Sequence, residues 1–297
     1  MSGFAKIAYA TMSIRAYPSA EKLEAKFVPS KDASQPVELF YLISTTSEAA
    51  RVKRQLTAAA HTGGAELRFF GRIDQLLIGE GKQPWHYAAL IRFSSAKAAI
   101  QAARDDSVLI DVDRLAIYPI REQLPPPLLL AVFKLLRVVG KILDTGDANL
   151  PVYLPGGQRP EVIPSADQMK ARATDTRECP VYCINFLNYR DRAEYTDGRP
   201  TTLSGTDAYM RYGLRAISAV RALGGCPMFG GLAGAALVDG GDSAVSGAWH
   251  NIIIVRYPTP RAILKLTDIP WYNAGHVHRD AGLENTALLV ASEVDSS

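Results

Sequence analysis

The densest run of chemistry-bearing residues in this chain is Trp271-Tyr272-Asn273-Ala274-Gly275-His276-Val277-His278-Arg279-Asp280, which holds two of the five histidines. An imidazole titrates near neutral pH and can act as a general base. A neighbouring guanidinium can hold a developing oxyanion, and a carboxylate can orient the ring. On that pattern His278 is the candidate base and Arg279 the candidate anion holder. The same run also reads as a loop that closes a fold through hydrogen bonds. As a metal site it is weaker: His276 and His278 would share a face on a strand, but a third ligand would have to come from His250, His86, Asp280 or Glu284. No metal and no cofactor is assigned.

A second group comprises polar and aromatic residues on predicted strands. Asn185 interrupts the apolar strand 181–188, and a buried amide must be hydrogen-bonded, either to a neighbouring backbone or to a ligand. Alternation puts Trp249, Asn251 and Tyr257 on one face of strand 248–257, with His250 and Arg256 on the other. The Trp/Asn/Tyr face is taken as the cavity face, because a helix-covered face has little use for an amide. Tyr209 and Tyr212 lie three apart on a predicted helix and share a side, as a core stripe or as pocket walls. The expected site is therefore His278, Arg279 and Asn185 as catalytic groups, with Trp249, Tyr257, Asn251, Tyr209 and Tyr212 against the substrate. Aromatic walls with a few placed polar groups suit a small hydrophobic molecule. Gly230-Gly231-Leu232-Ala233-Gly234 lacks the P-loop lysine and reads as a bend in a strand. Serine-nucleophile, zincin and dinucleotide motifs are not found.

The elements that must position these groups occur twice. Trp85-His86 precedes an apolar run ending in Arg92, and Trp249-His250 precedes one ending in Arg256. Upstream of each, a helical stretch ends in a glycine pair, Gly63-Gly64 and Gly224-Gly225; downstream lies a short Ala-containing helix. The first copy reads as strand 37–44, helix 48–60, strands 65–78 and 85–93, a helix from 95, and strand 114–120. The second reads as strand 181–188, helix 206–223, strands 228–238 and 248–257, a helix from 260, and strand 286–291. Period-two and helical spacings support these assignments. The order β-α-β-β-α-β is the ferredoxin-like plan, whose sheet has one uncovered face. Two such sheets face to face predict an α+β fold: tandem ferredoxin-like repeats forming an intramolecular dimeric α/β barrel, with a cavity between the sheets. The expected division is an N-terminal extension 1–36, repeats at 37–120 and 180–292, a Pro-rich linker 121–179 and a tail 293–297.

Within the linker, residues 128–143 (LLLAVFKLLRVVGKIL) predict an amphipathic helix with Lys134, Arg137 and Lys141 on one narrow face. It would be buried against the barrel or a second chain, lie over the cavity, or rest on a membrane surface.

The 297 residues carry 33 Lys+Arg against 30 Asp+Glu, a formal charge of +3, which gives no reason to invoke nucleic acid as a partner. Hydrophobic residues make up 47% and charged residues 21%, a globular balance. The three cysteines, Cys179, Cys183 and Cys226, form no disulfide or zinc framework. No signal-like or membrane-spanning window is evident. The expectation is a cytoplasmic protein, with homo-oligomers allowed.

The second copy resembles a known family. The segments that carry the likeness are Ile184-Asn185-Phe186-Leu187, Tyr189-Arg190-Asp191-Arg192-Ala193, Tyr195-Thr196-Asp197-Gly198-Arg199, Gly205-Thr206-Asp207-Ala208-Tyr209-Met210-Arg211-Tyr212-Gly213, Val255-Arg256-Tyr257-Pro258 and His278-Arg279-Asp280-Ala281-Gly282-Leu283. They resemble the domain-of-unknown-function family thirteen-thirty of the dimeric α/β barrel superfamily, over about residues 180–292. The first copy is similar mainly at its Trp-to-Arg segment. His250 stands where members of that family often have an acidic residue. The resemblance implies the barrel and no particular reaction. The wider superfamily, similar in fold, includes cofactor-free monooxygenases, cyclases, isomerases and haem-handling proteins. The expected function is a cofactor-free isomerase, cyclase, lyase or monooxygenase that abstracts a proton from a hydrophobic carbonyl or phenolic substrate. The alternatives are a non-catalytic binding or assembly module, and a haem- or metal-handling protein.

Overall fold

The computed structural model describes residues 36–104, 111–123, 159 and 161–294. The predicted helix 128–143, nearly all of the 1–36 extension and residues 295–297 lie outside the described residues.

In chain order the elements are β1 (Val37–Ser44), α1 (Ala49–Thr62), β2 (Glu66–Ile78), β3 (Tyr87–Phe93), α2 (Ala96–Arg104), β4 (Arg114–Glu122), α3 (Ala166–Ala173), β5 (Val181–Tyr189), α4 (Gly205–Ala222), β6 (Cys226–Leu232), β7 (Asn251–Tyr257), α5 (Pro260–Lys265), a 3-10 turn (Leu266–Asp268), α6 (Pro270–Asn273), α7 (His276–Gly282) and β8 (Leu283–Glu293). The eight strands close into one antiparallel barrel in the order β1-β3-β2-β8-β5-β7-β6-β4. The strands of each half are contiguous, β4-β1-β3-β2 and β8-β5-β7-β6. The halves meet at β2–β8 through six register pairs and at β4–β6 through two, Arg121↔Leu232 and Glu122↔Gly231.

Local chemistry sets the helix ends. Ser95 accepts the Ala98 N–H at the start of α2, and Ser204 accepts the Asp207 N–H at the start of α4. At the other ends, Ala65 N–H donates to Ala60 O and Gly225 N–H to Val220 O. These bonds align Gly64 (φ 60°) with Gly224 (φ 77°), both left-handed. The two glycine pairs of the sequence are therefore offset by one residue, and one glycine of each does the turning.

Alternation along the strands sends one set of side chains into the barrel and the other under the helices. Phe40, Leu42, Leu90, Tyr118, Tyr182, Ile184, Phe186, Ile252, Ile254 and Leu289 pack inside as one cluster. Phe186 sits at its centre, edge-on to Phe40, Tyr118 and Trp249 at centroid distances of 5.8, 5.7 and 5.6 Å. One mouth is stopped by the loop before β7: Tyr118 Oη and Trp249 Nε1 both donate to the Val245 carbonyl, beside buried Trp85. The expected cavity between the sheets is thus corrected to a packed core. An eight-stranded barrel is just wide enough for its own side chains to fill.

The face assignment on β7 is corrected too. Trp249 precedes the strand and packs inside the barrel, whereas Tyr257 belongs to the helix-covered cluster with Val181, Cys183 and Val290. Asn251 donates to Gly231 O across the β6–β7 pair at 2.9 Å. The run 271–280, read as a loop or strand, forms α6 and most of α7. No helix among the described residues is long and apolar enough to cross a membrane.

Candidate functional site

The cavity that gathers most of the chemistry lies outside the barrel, between the outer face of the second half's sheet and its helices. It has a volume of about 120 Å³. Its floor is Cys183 and Asn185 of β5, Tyr257 of β7 and Leu288 of β8; its roof is Tyr209 and Tyr212 of α4, Tyr272 of α6, and His276 and Arg279 of α7. Met169, Ile163 and Pro164 close one side.

That side wall is held by polar bonds. Ser165 and Gln168 form a reciprocal capping box at the start of α3. Gln75 Nε2 donates to Gln168 O at 2.8 Å, tying α3 to β2. Arg159 donates to the carbonyls of Asp280 and Leu283 at 2.8 and 2.7 Å, and so caps the C-terminal end of α7.

Two glycines allow α7 to reach the site. A Cβ on Gly205 would collide with the Arg190 carbonyl, and one on Gly282 with the Gly205 carbonyl. With neither present, α4 and α7 cross backbone to backbone. His276 and Arg279 are three residues apart and share the inward side of α7. His278 is two residues from His276, about 200° round the helix, and faces away.

The roof is an aromatic chain. Ring centroids are 5.4 Å apart for Tyr209–Tyr212, 5.8 Å for Tyr212–Tyr272 and 4.8 Å for Tyr272–His276. Tyr212 Oη donates to Tyr272 Oη at 3.2 Å. On the floor, Asn185 Nδ2 donates to the carbonyls of Cys183 and Ile253 at 3.3 and 3.4 Å, so the backbone takes its N–H groups and leaves Oδ1.

Arg279 is the only fixed charge among the described lining residues. Its side chain is buried, donates to the Val162 carbonyl, lies 3.7 Å from Asp280 Oδ1 and stands over the Tyr212 ring at 5.9 Å. Burial, aided by Arg279, pulls the His276 pKa down to about 3. Burial first, then neighbouring phenols, holds Tyr209 and Tyr272 well above the ordinary tyrosine range against the opposing Arg279; burial, then Cys183 and neighbouring phenols, does the same at Tyr257. Burial pushes the Cys183 thiol up to about 12, against the pull of Arg172. At neutral pH the cavity thus presents neutral phenols, a neutral imidazole, a thiol and one guanidinium in an apolar box.

Of the residues singled out from sequence, Asn185, Arg279, Tyr257, Tyr209 and Tyr212 line this cavity. Trp249 does not, since it is in the barrel core. Asn251 lines a separate open groove beside the β4–β6 seam, together with His250 and Tyr189. His278 lines a third, shallow hollow on the far side of α7. His276 and Tyr272 also line this cavity and are not among the site residues expected from sequence. The i, i+3 spacing of His276 and Arg279 was available in the sequence, but it selects His276 only once the run is read as helical.

No family model and no curated protein matches the chain. Among solved structures, the chain is similar to RPA0582, a protein of unknown function from Rhodopseudomonas palustris: 26% identity over 46% of this chain and 98% of that one, TM-score 0.40. A methylated form of RPA0582 gives 27% identity over 46% and 96%, TM-score 0.39. An anthrone oxidase-like protein aligns over 89% of this chain and 93% of its own at 10% identity, TM-score 0.41.

Proposed function

We propose that the protein is a barrel-type small-molecule enzyme that abstracts a proton from a single-ring hydrophobic substrate bearing a carbonyl or phenolic oxygen. The observation that carries this reading is the buried Arg279 guanidinium facing an otherwise uncharged aromatic cavity. A cavity of about 150 Å³ lined by apolar side chains accepts benzene, so one ring suits this one. Arg279 receives the substrate oxygen, and Asn185 Oδ1 accepts from a hydroxyl on the ring. The base is His276 in place of His278. A C–H or O–H bond to the substrate breaks, the proton passes to the His276 imidazole, and the electron pair settles on the oxygen beside Arg279. The nascent oxyanion offsets the Arg279 field that disfavours the imidazolium, so base and anion strengthen each other. Protonation of the same or another carbon then gives exchange or isomerisation. Tyr209, Tyr212, Tyr257 and Tyr272 exclude water.

We also read residues 37–120 and 180–292 as tandem ferredoxin-like units, an intramolecular counterpart of a dimeric α/β barrel. The shared strand order and the matching of Gly64 with Gly224 support this.

The test is deuterium exchange. Small aryl ketones and cyclic 1,3-diketones are incubated with the protein in D₂O, and loss of the α-proton signal is followed by NMR. Exchange well above buffer that disappears in Arg279→Met and falls at least tenfold in His276→Gln is expected. Binding without exchange would reduce the site to a carrier, and the absence of both binding and exchange overturns the proposal.

A further inference from the structure

We propose that the hollow on the outer side of α7 is a second binding site, specific for a phosphate monoester group. The hollow has a volume of about 460 Å³ and lies against His278, Tyr195, Arg192, Arg199, Arg211 and Thr201.

The site is assembled from three segments. His278 comes from α7, Arg211 from α4, and the remainder from the loop between β5 and α4. The crossing at Gly205 and Gly282 locks them together. Arg190 N–H donates to Gly282 O, Glu194 N–H to Ala281 O, and Gly205 N–H to Arg190 O, at 3.0, 3.0 and 3.1 Å. The loop is therefore seated on α7 by its backbone.

The side chains of the hollow are already oriented. Tyr195 is buried, and its hydroxyl meets His278 Nδ1 at 2.8 Å. The phenol is the stronger donor of that pair, so the imidazole keeps its own proton on Nε2 and can donate it to an anion. Arg199 stacks on the Tyr195 ring at 4.7 Å, while its Nε bonds both oxygens of Asp197 at 2.9 and 2.8 Å. Arg192 is fixed through Nε and Nη2 to the Thr201 carbonyl at 2.9 and 2.6 Å. Arg211 engages no acceptor with its guanidinium among the described residues, and its fork is exposed. Against this cluster of positive charge, Asp197 is the carboxylate in contact.

The charge balance selects the ligand. Arg215 donates to Arg211 O, adding a fourth guanidinium near the imidazole. Burial first, then Arg215, Arg211 and Arg199, holds the His278 pKa below the ordinary histidine range. A dianion between these groups would offset the part of that shift set by the guanidinium charges. Three separated guanidinium groups and an imidazole donor suit a tetrahedral oxyanion better than a planar carboxylate, which one fork already satisfies. Exposed Met210 and Leu214 flank Arg211 on α4, so the phosphate could be carried by a soluble molecule or by a lipid headgroup.

The experiment uses the full chain at constant ionic strength, with His278 side-chain signals followed by NMR. One arm titrates phenyl phosphate; the other adds vesicles with and without phosphatidic acid, read by sedimentation. Saturable phenyl phosphate binding that raises the His278 titration midpoint, weakened at least tenfold in Arg211→Met and partly restored in Arg211→Lys, is expected for a soluble ligand. Phosphatidate-dependent sedimentation lost in Arg211→Met identifies the lipid source. Groups that share the titration are Tyr195, Arg192, Arg199, Arg211, Arg215 and Asp197, so each variant is compared at matched pH. No saturable response in either arm overturns the site, as does an equal response in Arg211→Met with an unchanged melting temperature.

Discussion

His86 and His250 occupy equivalent positions in the two halves of the barrel. Nδ1 of His86 accepts the Thr45 N–H at 3.1 Å, and Nδ1 of His250 accepts the Tyr189 N–H at 3.0 Å. Their own N–H groups donate to Ile43 O and Leu187 O at 2.8 and 3.0 Å. Each ring thus closes the end of the first strand of its half. A hydrogen bond of this kind contributes about 1 kcal/mol net. His86→Ala and His250→Ala are each expected to lower stability by about that amount in urea unfolding. His250→Asp, which keeps an acceptor, should lose less than half as much. Equal loss in the Ala and Asp variants would sink the capping role.

Phe186 fills the middle of the barrel. Truncating a buried phenylalanine costs about 3–5 kcal/mol. Phe186→Ala should fall in that range by chemical denaturation while leaving ligand affinity at the Arg279 cavity within twofold. A cost below about 1 kcal/mol would mean the interior is not close-packed.

His276 makes stability depend on pH. Its pKa lies near 3 in the native protein, against about 6.5 unfolded. Between these values the unfolded chain holds a proton that the native one does not. Its contribution is therefore complete above about pH 6.5 and declines as the pH falls, by at most ~1.4 kcal/mol per unit. His278, also lowered, acts in the same direction; Asp280, raised by burial, acts in the opposite one. Both persist in His276→Gln, so the variant isolates one group. The drop in unfolding free energy from pH 7.5 to 4.5 should be smaller in His276→Gln than in the parent; an unchanged drop would refute the assignment.

Gly282→Ala tests the crossing that serves both sites. The added methyl meets the Gly205 carbonyl and the Tyr209 backbone. Overpacking of this kind costs about 1–3 kcal/mol. Differential scanning calorimetry should show a lower Tm, with phenyl phosphate binding and deuterium exchange both reduced. An unaltered protein would mean α4 and α7 need not be in contact.

Most elements were legible in the sequence because they are long and locally marked. The strand runs 37–44 and 181–189 and the helix beginning at Pro260 lie within a few residues of their expected places. The faces were not legible. On β5 both Tyr182, Ile184 and Phe186 and their outward neighbours Val181 and Cys183 are buried. A strand covered on both sides reads as a continuous apolar run, with no alternation to tell core from cavity. Trp249 and Tyr257 were placed together because strict alternation was carried back past Asn251, where the strand begins and the period of two stops applying. The helices around His276 were missed for a different reason: α6 and α7 span four and seven residues, too short for a period to register.

The two seams of the barrel are unequal. Six paired positions fasten β2 to β8, but two fasten β4 to β6, with one bridge from Ile117 to Val238 beside them. A cylinder stitched this unevenly unrolls from its looser edge. The amides of Gln123 and Leu232 should trade hydrogen for deuterium long before the amides that bridge β2 and β8, and the halves would part there while still hinged along the tighter side.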